Sequence, residues 1–416
     1  MMSLGQFLGW AVPPVPAEPQ GAERVSAAAK AAAASTERFG IALYEQLAAA
    51  NGNFFFSPSS ISSCLAMAYA GARGATAEEM AKTLCFASGP GLHEGFRDLM
   101  ALLLRPHRPG KEAPILHIAN ALWCQDGFPL VDDYLQLMQH CYAAGLKRLD
   151  LAGQPEQARR TINAWVEQQT KDRIKDLLKP GAMQPDTRLV LTNAIYLKAT
   201  WQFPFRAEAT LTEDFFTAPD RPMPTRFMRQ TNFFDYHETE LAQIVALPYA
   251  GDELVMVVVL PRRKDGLPEV EKTFTRQPAW LSEQFKHLKP AKVNLVLPKF
   301  QSRSSFDLTG TLKAMGMNQA FAPLGADFTG MSTAEPLYIG LVVHQAFVAV
   351  DEKGTEAAAA TATTTRAGSA APRPEQIVTF RADHPFLYLI MERQTGAMLF
   401  LGRLSEPERA PDAPVK

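Results

Sequence analysis

The chain has 416 residues, 47% of them hydrophobic, and its formal net charge is -1. This composition is typical of a soluble globular protein with a large core, and it gives no indication of a nucleic acid as partner. No segment approaches the roughly 20 continuous apolar residues that a membrane-spanning helix needs, so no integral membrane protein is predicted.

Residues 1–35 are predicted to form a flexible leader. They carry four prolines within residues 13–19 and then an alanine-rich stretch that favours a first helix. Residues 1–12 contain no Lys or Arg before their short apolar run, which a secretory signal normally has. The sequence also contains no Asn-x-Ser/Thr acceptor for N-glycosylation, so the compartment stays open at this point.

Helical periodicity dominates up to about residue 178. The predicted helices are 39–50, 61–72, 77–84, 92–104, 132–140 and 158–169. Thr76 and Glu79 have the spacing of a capping box, which predicts that Thr76 precedes and caps the third helix.

The cysteines lie in this helical part and are interpreted as buried free thiols, with a disulfide pair as the alternative. No C-x-x-C motif or Cys/His cluster occurs, so neither a metal site nor a cofactor is predicted. The four residues are Cys64, Cys85, Cys124 and Cys141.

From residue 188 the sequence becomes rich in strands. The predicted strands are 188–197, 243–248, 254–260, 293–300, 341–350, 386–392 and 398–404. Several are nearly continuous apolar runs, as expected for a sheet that is covered on both faces. Because no linker separates the two halves, we predict one α+β domain over residues 36–408, followed by a tail at 409–416.

A long segment between two predicted strands, about residues 352–374, is rich in Ala and Thr. Compact domains rarely keep such a loop without a function, although a disordered insertion is the alternative. Alternate residues of an extended strand face opposite sides, and here one parity from Thr355 to Ala367 is uniformly small and uncharged. Glu356 and Arg366 share the other parity, so the segment could enter a sheet as a new strand.

Several separate motifs, in order and spacing, resemble those of the serpins over nearly all of residues 35–407. The resemblance implies a serpin fold, with about nine helices around three β-sheets and an exposed reactive-centre loop. The motifs are Asn53-Phe-Phe-Phe-Ser-Pro-Ser-Ser60, Leu191-Thr-Asn-Ala-Ile-Tyr-Leu-Lys-Ala-Thr-Trp201, Leu297-Pro-Lys-Phe300, Val342-Val-His-Gln-Ala-Phe347, His384-Pro-Phe-Leu387 and Gly396-Ala-Met-Leu-Phe-Leu-Gly-Arg403.

The hinge before the loop resembles that of inhibitory serpins, which show Glu, a variable residue, Gly, Thr and then small residues. The resemblance implies a suicide inhibitor: a target serine protease forms an acyl-enzyme at the loop, the cut loop inserts into the central sheet, and the protease is trapped in a covalent 1:1 complex. The matching hinge residues are Glu352, Gly354, Thr355, Glu356, Ala357, Ala358, Ala359, Ala360 and Thr361.

Family spacing from Glu352 implies a reactive bond between Gly368 and Ser369, which suits elastase-like or subtilisin-like proteases. Ala367 or Arg366 are the alternatives, and Arg366 would imply a trypsin-like target. The resemblance also implies an ion pair of Lys299 with Glu352 near Trp201 where insertion begins. It further implies a polar cluster beneath the sheet, made of Ser57, Ser60, Asn193 and His344.

Other functions are less well supported by the sequence. No nucleophile elbow, P-loop or dinucleotide-binding motif occurs, so no enzyme is predicted. A non-inhibitory serpin acting as a binding or chaperone-like module, a loop that is merely cut, and cross-inhibition of cysteine proteases remain alternatives. A monomer is expected, and the resemblance favours an extracellular location. A basic run is interpreted as a solvated loop, with a glycosaminoglycan site as the alternative; it contains Arg105, His107, Arg108 and Lys111.

Overall fold

Nine α-helices and fifteen strands form the part of the chain that the computed structural model describes, which is residues 25–87, 89, 91–104, 114–142, 145–184, 186–355 and 376–408. The helices are α1 (Ala27–Leu47), α2 (Pro58–Tyr69), α3 (Gly74–Thr83), α4 (Leu92–Leu104), α5 (Asp132–Tyr142), α6 (Pro155–Gln169), α7 (Leu267–Arg276), α8 (Ala279–Lys286) and α9 (Thr309–Ala314).

Six strands form the sheet that we call the central sheet, in the order β10-β11-β12-β4-β2-β3. They are β2 (Ile115–Gln125), β3 (Leu146–Leu149), β4 (Leu189–Thr200), β10 (Phe300–Asp307), β11 (Ile339–Val350) and β12 (Gly354–Thr355).

The other nine strands form the sheet that we call the long sheet, in the order β1-β15-β14-β8-β7-β6-β9-β13, with β5 paired to β6. They are β1 (Phe54–Phe56), β5 (Leu211–Ala218), β6 (Arg221–Glu238), β7 (Ala242–Pro248), β8 (Leu254–Pro261), β9 (Lys289–Pro298), β13 (Val378–Arg381), β14 (Phe386–Glu392) and β15 (Met398–Leu404).

The described residues thus form two sheets, where the sequence led us to expect three. The reason is β6, which is 18 residues long. The first part of β6, up to Phe227, pairs with β5, and its last part, from Asp235, pairs with β7. Strand β9 pairs with β6 from Phe227 to Tyr236. Strands that could have formed two separate sheets are therefore joined into one hydrogen-bonded sheet.

The central sheet is covered on both faces. One face, with alternate residues of β2, β4 and β11, packs against α6 and the connection that follows it. The opposite face packs partly against an apolar core that it shares with the long sheet and partly against a helix-rich core that includes α2. This two-sided burial explains why β4 and β11 are nearly continuous apolar runs.

Two helix starts differ from the sequence prediction. Helix α1 begins at Ala27, inside the segment assigned to the leader, because alanine favours helix and the Ser26 hydroxyl accepts a hydrogen bond from the Ala29 N–H. The prediction of a capping box at Thr76 was wrong. Thr76 lies inside α3, and both Thr76 and Glu79 accept hydrogen bonds from backbone N–H groups of residues 318–327 instead.

All four cysteines are free, and three are buried while Cys85 is partly exposed. Burial raises the pKa of the Cys64 thiol to about 12 and that of Cys124 to about 11. A thiol with so high a pKa is a poor nucleophile at neutral pH, which agrees with the prediction of structural free cysteines.

Candidate functional site

A short strand is already seated between two long strands of the central sheet. Strands β4 and β11 run parallel and pair directly from Leu189 and Ile339 to Tyr196 and Phe347. Beyond that ladder, β12 lies between them and is antiparallel to both. We call the boundary between β4 and β11 the seam.

Both residues of β12 fit the seam closely. Gly354 has φ +153°, and a Cβ atom at this position would lie 2.0 Å from the backbone oxygen of Ala199. Only glycine therefore fits without displacing β4. Thr355 is completely buried, and its Oγ1 lies 2.7 Å from the hydroxyl oxygen of Tyr249.

The turn that leads from β11 into β12 is held by Trp201. The Trp201 indole N–H donates to the backbone oxygen of Asp351 at 3.0 Å, and its backbone N–H donates to the oxygen of Lys353 at 2.9 Å. The indole ring also stacks on Tyr249, with ring centroids 4.6 Å apart. One aromatic pair thus contacts both the turn and the short strand.

An ion pair joins the same turn to Lys299, the residue between β9 and β10. Lys299 Nζ lies 2.6 Å from Glu352 Oε2, and the Thr210 hydroxyl donates to Glu352 Oε1 at 2.7 Å. The Glu352 side chain is 10% exposed. Burial acts to raise the pKa of this carboxyl, but the hydrogen bonds from Lys299 and Thr210 outweigh burial and hold the pKa below its ordinary value.

A second cluster of polar side chains lies further along the seam, away from β12. His344 of β11 and Asn193 of β4 are directly opposite each other, and His344 Nδ1 is hydrogen-bonded to Asn193 Oδ1. On the other side of the ring, His344 Nε2 accepts a hydrogen bond from the Ser57 N–H at 3.1 Å. Because Nε2 accepts, the proton of the neutral ring is on Nδ1.

Burial determines the charge of His344. Its side chain is completely buried, and this burial lowers the pKa to about 3. The imidazole is therefore neutral at physiological pH, and it acts as a structural donor and acceptor across the seam.

The network extends to Ser60 and to a residue that the sequence did not predict, Asn120 of β2. The Asn193 amide donates to the Ser60 hydroxyl at 2.6 Å and also to Asn120 Oδ1. The Ser60 hydroxyl in turn donates to Asn120 Oδ1 at 2.8 Å. Four elements, α2, β2, β4 and β11, thus meet in one hydrogen-bonded group.

The structure brings the predicted residues together in two places: Lys299, Glu352 and Trp201 at one end of the seam, and Ser57, Ser60, Asn193 and His344 along it. It adds Asn120, Thr210 and Tyr249, none of which stands in a motif that the sequence singled out. The remaining predicted residues, which are Glu356, Ala357, Ala358, Ala359, Ala360, Thr361, Arg366, Ala367, Gly368 and Ser369, lie outside the described residues, as does the basic run at 105–111.

The described part of the chain contains no cluster of three or more His, Cys, Asp or Glu side chains that could hold a metal ion. None of its helices is long and apolar enough to span a membrane.

The fold and the seam define a serpin, and comparison with known proteins agrees. Residues 34–407 match the family model described as "Serpin (serine protease inhibitor)". This match covers most of the chain. The chain belongs to the serpin family.

Individual relatives are similar over most of their length. An uncharacterized serpin-like protein of Thermococcus kodakarensis is 43% identical over 88% of this chain and 83% of its own. The leukocyte elastase inhibitor of Equus caballus is 38% identical over 86% of this chain and 93% of its own. The solved structure of Serpin48 from the insect Tenebrio molitor has a TM-score of 0.78 at 29% identity, covering 91% of this chain and 98% of that one. These comparisons give no support to the expected extracellular location.

Proposed function

We propose that this serpin inhibits serine proteases as a suicide substrate and catalyses no reaction of its own. The protease's serine oxygen attacks the carbonyl carbon of Gly368 and forms an ester bond. The peptide bond to Ser369 breaks, and its nitrogen takes up the proton that the serine gives up through the protease's own base. The freed loop then enters the seam before water hydrolyses the ester.

The observation that carries this proposal is the position of β12. Its two residues already occupy the seam between β4 and β11, antiparallel to both, at the point where the candidate loop begins. A longer strand needs only to continue from Thr355 in the same direction. The direct ladder between β4 and β11 would open as it advances.

The register of β12 predicts which side of the inserted strand would face the core. Thr355 pairs with Val350 and Ala199, so each further loop residue moves one position back along both neighbours. Ala357 would then lie between Val348 and Leu197, which face the core shared by the two sheets. The small, uncharged side chains of the loop would thus face that core.

The same register also predicts where the charged side chains of the loop would lie, and which loop residue would meet the buried polar network. Glu356 would lie on the opposite face beside the partly exposed Lys198. Thr361, six residues after Thr355, would lie between His344 and Asn193. Its hydroxyl can both donate and accept, so it could replace the hydrogen bond that insertion breaks. A buried histidine and asparagine would therefore keep partners in the inserted state.

The exchange of hydrogen bonds favours insertion. It replaces one parallel ladder by two antiparallel ladders, and parallel pairing is slightly less stable per residue. About a dozen hydrogen bonds at roughly 0.5–1.5 kcal/mol each amount to about 6–18 kcal/mol. That range includes the about 8 kcal/mol by which the barrier to ester hydrolysis must rise for a millionfold slower reaction.

The proposed target is a protease that accepts small residues. Gly368 and Ala367 precede the proposed bond, and several relatives that are 37–38% identical are named leukocyte elastase inhibitors. Arg366 remains the alternative, and it would direct the inhibitor to trypsin-like proteases.

The test is incubation of the purified protein with an elastase-like protease, a subtilisin and trypsin in turn. A complex that survives SDS and a released peptide that begins at Ser369 would support both the mechanism and the bond. A peptide that begins at Ala367 would move the target to trypsin-like enzymes. Cleavage by all three without any complex would contradict the proposal for these targets and favour a substrate or a non-inhibitory serpin. A papain-like protease is tested in parallel, and a stable complex with it would indicate inhibition of cysteine proteases.

A matched pair of variants separates insertion from cleavage. Thr355→Arg would require a charged side chain in a completely buried position, so we expect cleavage at an unchanged bond but no stable complex. Lys353→Arg changes an exposed neighbour in the same turn and should leave complex formation intact. Equal complex formation by both variants would show that the strand does not enter at Thr355.

A further inference from the structure

Four side chains form one row across the face of the central sheet that packs against α6. Arg303, Phe347, Tyr196 and His117 stand on four strands at directly opposed positions. The Arg303 guanidinium lies 5.1 Å from the centre of the Phe347 ring. The rings of Phe347 and Tyr196 lie 6.2 Å apart, and those of Tyr196 and His117 stack at 5.5 Å.

The seam crosses this row at one place only, between Phe347 and Tyr196. These two residues are also the last directly opposed pair before β12. Both are well buried, with 6% and 4% exposed. Arg303 and His117 lie on β10 and β2, one strand away from the seam on either side. The Phe347–Tyr196 contact is thus the first aromatic contact that an advancing strand meets.

Entry of a strand must break this contact. Neighbouring strands lie about 4.8 Å apart, so an inserted strand would separate β4 and β11 to about 9.6 Å. In the register of β12, Ala358 would take the position between the two rings, and its methyl group cannot replace a ring contact. The other two contacts of the row join strands that insertion does not separate.

Tyr196 has one further connection. Its hydroxyl is hydrogen-bonded to Arg173, in the connection between α6 and β4. The same tyrosine thus touches both the seam and the segment that covers the sheet, and the two contacts can be removed separately.

We propose that the contact between Phe347 and Tyr196 is a latch that sets the rate at which the seam opens to an incoming strand. This inference rests on the proposed inhibitory mechanism. It concerns timing, because the contact exists only while the sheet is closed. Weakening the latch should speed insertion. The rate of insertion should depend on the ring contact and not on the hydroxyl of Tyr196.

The experiment measures the uptake of a synthetic peptide with the sequence of residues 355–366 into the uncut protein, followed on native gels. Phe347→Leu and Tyr196→Leu should each take up the peptide about 2- to 12-fold faster than wild type, the range that an aromatic pair is worth. The double variant should be no faster than the faster single variant. Tyr196→Phe, which keeps the ring, and His117→Leu, which breaks a contact away from the seam, should stay at the wild-type rate.

Several results would overturn the latch: wild-type rates in both leucine variants, multiplicative acceleration in the double variant, or acceleration by Tyr196→Phe or His117→Leu. Thermal melting first establishes that each variant folds, and Phe347→Met replaces Phe347→Leu if that variant does not. Failure of the proposed function looks different, because wild type would then neither take up the peptide nor gain thermal stability after loop cleavage.

Discussion

Replacement of His344 by glutamine tests whether the buried network across the seam depends on a neutral imidazole. In the structure His344 donates through Nδ1 to Asn193 and accepts through Nε2 from the Ser57 N–H. A glutamine amide also offers one donor and one acceptor at similar reach, but it does not titrate. His344→Gln should therefore keep the network at neutral pH and lose its sensitivity to acid.

The magnitude follows from the pKa of the buried ring. Burial lowers this pKa to about 3, whereas an unfolded histidine titrates near 6.5. Because the pKa is lower in the folded state than in the unfolded state, the contribution of the neutral His344 ring to the free energy of unfolding is fully present above about pH 6.5. It is lost as the pH falls from there towards 3. At about 1.4 kcal/mol per pH unit, wild type should lose about 2 kcal/mol between pH 7 and pH 5 through this residue alone.

The assay is denaturant unfolding of the uncut wild type and of His344→Gln at pH 7 and pH 5. Carboxylates with lowered pKa values, such as Glu352 and Asp383, also lose stabilisation in acid, but they contribute equally to both proteins. The difference between the two acid-induced losses therefore isolates His344. Equal losses in both proteins would refute the claim that His344 is held neutral by the fold.

Three further changes test separate parts of the site. Gly354→Ala should displace β12, because the added Cβ would lie 2.0 Å from the Ala199 backbone oxygen, and hydrogen exchange at the Thr355 amide should accelerate; unchanged protection would contradict the fit. Glu352→Gln should lower stability by about 1 kcal/mol at pH 7, whereas the exposed control Glu283→Gln should change it little, and equal effects would show that burial is unimportant. Asn120→Ala should cost about 1–3 kcal/mol in thermal or denaturant unfolding, since Ser60 loses its acceptor; a neutral result would place Asn120 outside the network.

Much of the fold could be predicted from local patterns. The predicted helix 92–104 matches α4, and the apolar runs around residues 191 and 345 became the two strands that border the seam. These elements have strong periodicity or long apolar stretches, which are the most dependable local signals. Strand β2 was missed because His117 and Asn120 interrupt its apolar run, so it shows neither a continuous apolar stretch nor a regular alternation.

Other features depend on contacts between distant parts of the chain. The polar strand β6 has weak local preference and is set by pairing with β5, β7 and β9. Thr76 and Glu79 have a capping pattern, yet both bind a loop more than 200 residues away. Asn120 joins the buried network only because β2 pairs with β4 in one register. No local pattern contains that register.

The seating of β12 has a consequence for the evolution of this protein. On the proposed mechanism the uncut chain is held by a barrier, and the arrangement of lowest free energy is reached only after the loop enters the sheet. Substitutions that tighten the β4–β11 pairing would make the uncut protein more durable and at the same time a slower trap. Selection would therefore preserve an imperfect closure of the sheet, and an engineer who optimises heat resistance alone would be expected to lose inhibition.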